Sequence, residues 1–251
     1  MVPPGGGQCA ARTRGSPGTR SPGARYDRAM RDRWFGRSAA RRLPGLLAGL
    51  LLFGLGIAVM ADAGLGLGPW EVLHQGIGRH TGLELGTVSI LVGIPILVLW
   101  WPLGERPGIG TILNVALIGT ATNVALPLLP RPAEPIVQLA MTAAGVLLIG
   151  VASGLYLAAD LGAGPRDGLM TGLHHRFGWS IRRARTAIEL TVLAAGFLLG
   201  GTVGIGTVLF AFGIGPVVQA ALAVFDREGR VGRQRRPDLA EELDSPGTVG
   251  E

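Results

Sequence analysis

The sequence predicts an all-α polytopic membrane protein: six transmembrane helices arranged as two inverted three-helix repeats, each with a short amphipathic or re-entrant half helix. Three observations predict it. Polar residues crowd into the first 43 and last 26 of the 251 positions, so the middle is far more apolar than average. It holds several runs near the roughly 17–25 residues that span a bilayer. The corner GLGLGPW at 64–70 returns 96 residues later as LGAGPRD at 161–167. The arginines are also unequally shared among the connections, as the orientation of such repeats requires.

The same counts exclude other classes. A formal charge of +6 is compatible with nucleic acid, but the 23 basic residues are all Arg and lie in flanks and connections, not on one amphipathic surface. Their expected role is membrane orientation, with the lipid bilayer as partner and no nucleic acid. Cys9 stands alone, so neither a disulfide within the chain nor a thiolate metal cluster is expected.

Residues 1–42 form a basic tail containing PPGGG and SPG twice, and its first 25 or so residues are expected to be disordered. A secretory signal is not expected, because the first long apolar run begins only after Arg41 and Arg42 and no small-residue cleavage pattern follows. From Tyr26 to Ala40, arginines interleaved with Trp34 and Phe35 suit a short helix on the inner membrane face.

The first repeat is read over 43–130. A span from about Leu43 to Ala63 enters through Pro44 and carries Gly45, Gly49, Gly54 and Ala58, small enough for a second helix to approach closely. The glycines after it cannot continue a helix cheaply, whereas Pro69 suits the first position of a new one. Pro69–Arg79 then places Glu71, His74, Gln75 and Gly78 on one stripe and Trp70, Leu73 and Ile77 on another. At about 16 Å it reaches halfway across a bilayer. A second span from about Leu85 to Trp101 contains Pro95, and a third from about Ile109 to Leu129 starts with GIGT. PRPAEP at 130–135 is a stiff linker.

The second repeat, 136–225, follows at the same offset without a gap, and GIGT at 108–111 recurs at 204–207. Spans are expected at about 136–158, 183–200 and 205–225, with a half helix at 166–177, before a polar cytoplasmic tail at 226–251. Three spans per repeat turn the halves upside down relative to each other. With the N-terminus inside, the outer connection 64–84 carries Glu71 and Glu84 against Arg79. The equivalent inner connection carries Arg166, Arg176, Arg182, Arg183 and Arg185 against two acids. Both termini are thus expected to be cytoplasmic.

Candidate chemistry centres on the two corners. Helix starts at Pro69 and Pro165 offer unpaired N–H groups and partial positive charge, and Gly66, Gly68, Gly162 and Gly164 allow close approach, of a small solute or of another helix. Glu71 and Asp167 hold the same third position of each half helix; they either favour the helix start or serve a proton or cation, and would compete with a bound anion. Thr111 and Thr207 are candidate hydroxyl donors to the same cavity. Asn114 is either glue between helices or a ligand contact. Glu189 within a span must face the interior, pair with Arg185 one turn earlier, or carry a proton. His74 is one turn from Glu71 and suits hydrogen bonding or gating. No set of ligands completes a metal site, no nucleotide fingerprint survives, and no nucleophilic triad is visible, so no catalytic, metal or cofactor residue is assigned.

LFGLGIAVMADAGLGLGPWEVLHQGI together with GERPGIGTILN resembles the bacterial YczE/YyaS/YitT-like integral membrane proteins over roughly residues 45–225, the first half more closely. The resemblance implies a multi-pass protein of the bacterial inner membrane and no catalytic assignment. The chain differs from the YitT branch in lacking a soluble C-terminal domain, and GPR at 164–166 replaces GPW, so no role of Trp70 transfers to the second corner. The expected function is secondary transport of a small solute or ion, the rival a non-enzymatic scaffold or regulator; homo-oligomerisation is open.

Overall fold

The computed structural model describes residues 37–105, 107–226, 229 and 231. The expectations for residues 1–36 and for the basic tail beyond 226 lie outside the described residues. Eight α-helices follow in order: α1 (Arg37–Ala63), α2 (Pro69–Thr81), α3 (Leu85–Leu103), α4 (Ile109–Ala125), α5 (Pro135–Ala158), α6 (Pro165–Phe177), α7 (Ile181–Leu198) and α8 (Ile205–Phe225). A 3-10 turn, Leu126–Leu128, extends α4, and no strand occurs among the described residues. This is an all-α polytopic bundle of membrane type.

Helices α6, α7 and α8 start 96 residues after α2, α3 and α4, as the repeated corners predict. Two details differ from the sequence reading. Pro44 does not open the first helix but lies inside α1, which includes Arg37 to Ala40. Proline there removes one backbone bond near the end of a long helix, where the loss is tolerated better than in its middle. Among the described residues five helices are long and apolar enough to cross a bilayer, rather than six. The exception is α7, which has the length but carries Arg182, Arg183, Arg185 and Glu189.

The centre of the bundle is the α1–α5 pair. Arg42 at the start of α1 donates to the Ala159 carbonyl after α5 at 3.0 Å, and Asp62 at the end of α1 accepts from the Arg131 amide before α5 at 3.0 Å. The two helices therefore run antiparallel. Their contact is built on small residues, as helices in lipid require where packing replaces water expulsion as the driving force. A Cβ on Gly49 would sit 2.8 Å from the Tyr156 amide, and one on Gly56 would sit 3.1 Å from the Ile149 amide. Leu46, Leu50, Ile57, Met60, Val146 and Ile149 fill the rest.

The outer helices pack reciprocally: α1 on α4 and α5 on α8, α2 on α7 and α3 on α6. Large and small residues exchange places between the last two contacts. Trp100 of α3 lies on Gly168 of α6, whereas its counterpart 96 residues later, Gly196 of α7, lies on the Val72–Leu73 backbone of α2.

One contact is not reciprocated. In the first half α3 lies along α4, crossing so closely at Gly86 and Gly119 that a Cβ on either would collide with the other's carbonyl oxygen. Asn123 Oδ1 accepts from the free Gly86 N–H at 2.7 Å, and its amide donates to Thr87 Oγ1 at 2.9 Å. In the second half Gly86, Thr87 and Asn123 are answered by Arg182, Arg183 and Gln219. Two guanidinium stems replace a glycine and a threonine, and α7 and α8 hardly meet. Gly215, the counterpart of Gly119, has open space where its Cβ would be.

Candidate functional site

The glycine corners are closed by the opposite half. Gly66 and Gly162 adopt φ of 115° and 134°, a region that disfavours any side chain. The turn presents the Leu65 carbonyl to the Gly206 amide at 2.8 Å and the Leu161 carbonyl to the Gly110 amide at 2.9 Å. GIGT of each half thus clasps the corner of the other. Thr111 Oγ1 accepts from Gly108 N at 3.1 Å and donates to the Ala163 carbonyl at 2.7 Å; Thr207 Oγ1 accepts from Gly204 N at 3.3 Å. Both hydroxyls serve the clasp and lie outside the cavity lining.

Held in this way, α2 and α6 start towards one another beside a cavity of about 180 Å³ in the middle of the bundle, to which all eight helices contribute. Of the candidate residues it brings together Pro69, Glu71, His74, Asn114, Gly164, Pro165, Asp167 and Glu189. Gly68 stands just behind, where a Cβ would meet Glu71 Oε2 at 2.6 Å and the Phe210 ring at 3.1 Å. Gly66 and Gly162 belong to the clasp.

Each half helix is covered by its own third-position acid. Glu71 Oε2 turns back over Gly68, and Asp167 Oδ2 turns back towards Gly164. A carboxylate of the chain itself thus stands beside each half-helix start, where the partial positive charge favours it. Glu71 is only 3 % exposed and accepts from Arg166 Nη2 at 2.6 Å. Burial, the strongest single influence, would raise its carboxyl, but the Arg166 charge, the hydrogen bond from Arg166 and a backbone hydrogen bond together hold it below the usual carboxylate range. Arg166 also lies over the Trp70 ring, with 5.1 Å from Cζ to centroid. His74, 2 % exposed, is pushed down to about 3 by burial and by Arg166, which leaves it a neutral imidazole. Asp167 accepts from the Tyr156 hydroxyl at 3.1 Å. Arg185 Nε donates to Glu189 Oε1 at 2.9 Å, the pairing that their spacing of four predicts.

Sequence reasoning missed Arg166, Trp70 and Tyr156. A signal for the first two existed: Trp70 and Arg166 occupy the same register 96 residues apart, and such positions meet wherever two repeats face each other. Tyr156 gave none, being one apolar-looking residue in a span. Among the described residues no group of His, Cys, Asp and Glu is placed to hold a metal ion.

A family model described as a family of unknown function, DUF6198, matches residues 40–222. The chain belongs to this family. The DUF6198 match takes in every helix that lines the cavity. An uncharacterised protein of Haemophilus influenzae is 42% identical over 182 residues, covering 72% of this chain and 84% of that protein. The uncharacterised membrane protein YczE of Bacillus subtilis is 35% identical over 178 residues, 70% of this chain and 82% of YczE, and the uncharacterised protein YyaS of the same organism is 24% identical over 165 residues. These relatives make the DUF6198 chain a bacterial multi-pass membrane protein, as the resemblance implied. No solved structure matches it.

Proposed function

We propose that this protein is a secondary transporter of a small solute or ion, built as six spans in two oppositely oriented halves with both termini cytoplasmic. The observation that carries the reading is the central cavity itself, set where two half helices start and lined by charged groups from both halves. Inverted halves meeting at broken helices are the usual means by which a transporter exposes one site to either side in turn. A scaffold has no need of ionisable side chains around an internal space, since each is costly to keep there. The antiparallel α1–α5 pair and the reciprocal packing fit inversion, with α7 as the sixth span, its charges turned to the cavity and to one membrane face. In this reading the open α7–α8 side is the cytoplasmic door, and the sealed α3–α4 side is the outer one.

Orientation is tested by labelling. In a Cys9→Ser background, His80→Cys should react with a membrane-impermeant maleimide on intact cells, while Arg176→Cys, 96 residues on, should react only after permeabilisation. Reaction of both from the same side would end the inverted arrangement. Activity is tested by proteoliposome flux across small acids, amines and cations under varied ion gradients. Uptake should fall at least tenfold in Asp167→Asn and Glu71→Gln, whereas a folded protein that moves nothing in this screen would count against transport.

A further inference from the structure

The charges around the cavity do not balance. Three carboxylates, Glu71, Asp167 and Glu189, face two guanidiniums, Arg166 and Arg185, and His74 adds no charge. Both guanidiniums are taken, Arg166 by Glu71 and Arg185 by Glu189, so Asp167 is the one cavity carboxylate that joins no ion pair among the described residues. Its recorded partner is the Tyr156 hydroxyl, with the Asn114 amide close to the same corner. His74, 2 % exposed, lines the same cavity with its ring tilted against Trp70. A half-buried carboxylate without a cation is costly. A ligand carrying positive charge satisfies it, and a second N–H donor suits the neighbouring imidazole. The rest of the wall is mostly apolar, with Phe53, Ile118, Ile149 and Ile214 beside the hydroxyls of Ser89 and Ser153. A cavity of about 180 Å³ is below the roughly 300 Å³ at which drug-sized pockets begin, so the ligand is small.

We infer that the cavity binds a small organic amine, with its ammonium on Asp167, a donor turned to His74 and its hydrocarbon part against the apolar wall. The inference rests on the reading of this cavity as a solute site and names the class of solute. An anion is disfavoured twice, by the excess negative charge and by the acids that already cover both helix starts.

The test is binding to the purified full-length chain in lipid nanodiscs, followed by thermal unfolding and titration calorimetry with butylammonium, butanol and butyrate. Butylammonium should raise the unfolding temperature and bind at least tenfold more tightly than the other two, which share its hydrocarbon chain. Asp167→Asn should remove that preference, and Tyr156→Phe should weaken binding several-fold. Because the ligand series is read on the unaltered protein, the result stands even if a variant fails to fold. Equal or tighter binding of butyrate, or no response to the amine, overturns the inference. The two readings fail separately: an amine bound but not carried across proteoliposomes sinks transport alone, while a carboxylate carried with the amine inert sinks this inference alone.

Discussion

Arg166→Gln should lower stability by about 3 kcal/mol, the low end of the loss when one partner of a buried ion pair is removed, because the Arg166 side chain is itself 27 % exposed. Glu71 is 3 % exposed and its carboxylate is bonded to Arg166 at 2.6 Å, across the gap between the two half helices. Without the guanidinium it must remain charged and unpaired or take up a proton, and the Trp70 ring loses its cation. The measurement is thermal unfolding in detergent of the wild type, both single variants and Glu71→Gln/Arg166→Gln. The double variant should recover much of the loss, because nothing charged is left stranded in it. A double variant as unstable as the sum of the singles would mean that the two side chains act independently.

Gly119→Ala and Gly215→Ala occupy the same register 96 residues apart and should have different outcomes. A Cβ on Gly119 would run into the Gly86 carbonyl oxygen and the Ile90 side chain, so α3 and α4 must part. Overpacking of this kind costs about 1–3 kcal/mol, and the obstacle here is backbone, which cannot rotate away. At Gly215 nothing beyond its own chain neighbours, Ile214 and Pro216, lies within 4 Å of the added carbon. There alanine meets no other helix: its better helix propensity, about 0.5–1 kcal/mol, is set against crowding by the ring of Pro216, and stability should stay nearly unchanged. Paired melting curves decide it, and equal losses would mean that α7 and α8 meet as closely as α3 and α4.

Local chemistry was readable from the sequence; partnership across the halves was not. The helix starts at Pro69 and Pro165 follow from fixed proline geometry after glycine, and both half helices begin there. The Arg185–Glu189 bond follows from helical spacing alone. Thr111 and Thr207 were expected at the cavity because GIGT opens a helix near it, but the clasp takes the Thr111 hydroxyl across to Ala163, 52 residues away in sequence. Nothing in a single helix start says which corner of the other half will lie beside it. Arg166 looked like a departure from the first motif, and its meaning appears only when Glu71 and Trp70 are set next to it. The charges of α7 are legible in the sequence, Glu189 paired with Arg185 within a span, but not that Arg182 and Arg183 replace the Gly86 and Thr87 through which its counterpart α3 packs on α4.

The crossed clasp also fixes an order of events during synthesis. The Leu65 carbonyl is answered by the amide of Gly206, in the first turn of α8, the last of the described helices. Until that helix leaves the ribosome, the Leu65 carbonyl has no Gly206 amide to meet and must be satisfied elsewhere. The nascent chain must therefore shelter it, in water or against the insertion machinery. Helix α8 acts as a bolt on a corner laid down seven helices earlier among the described residues.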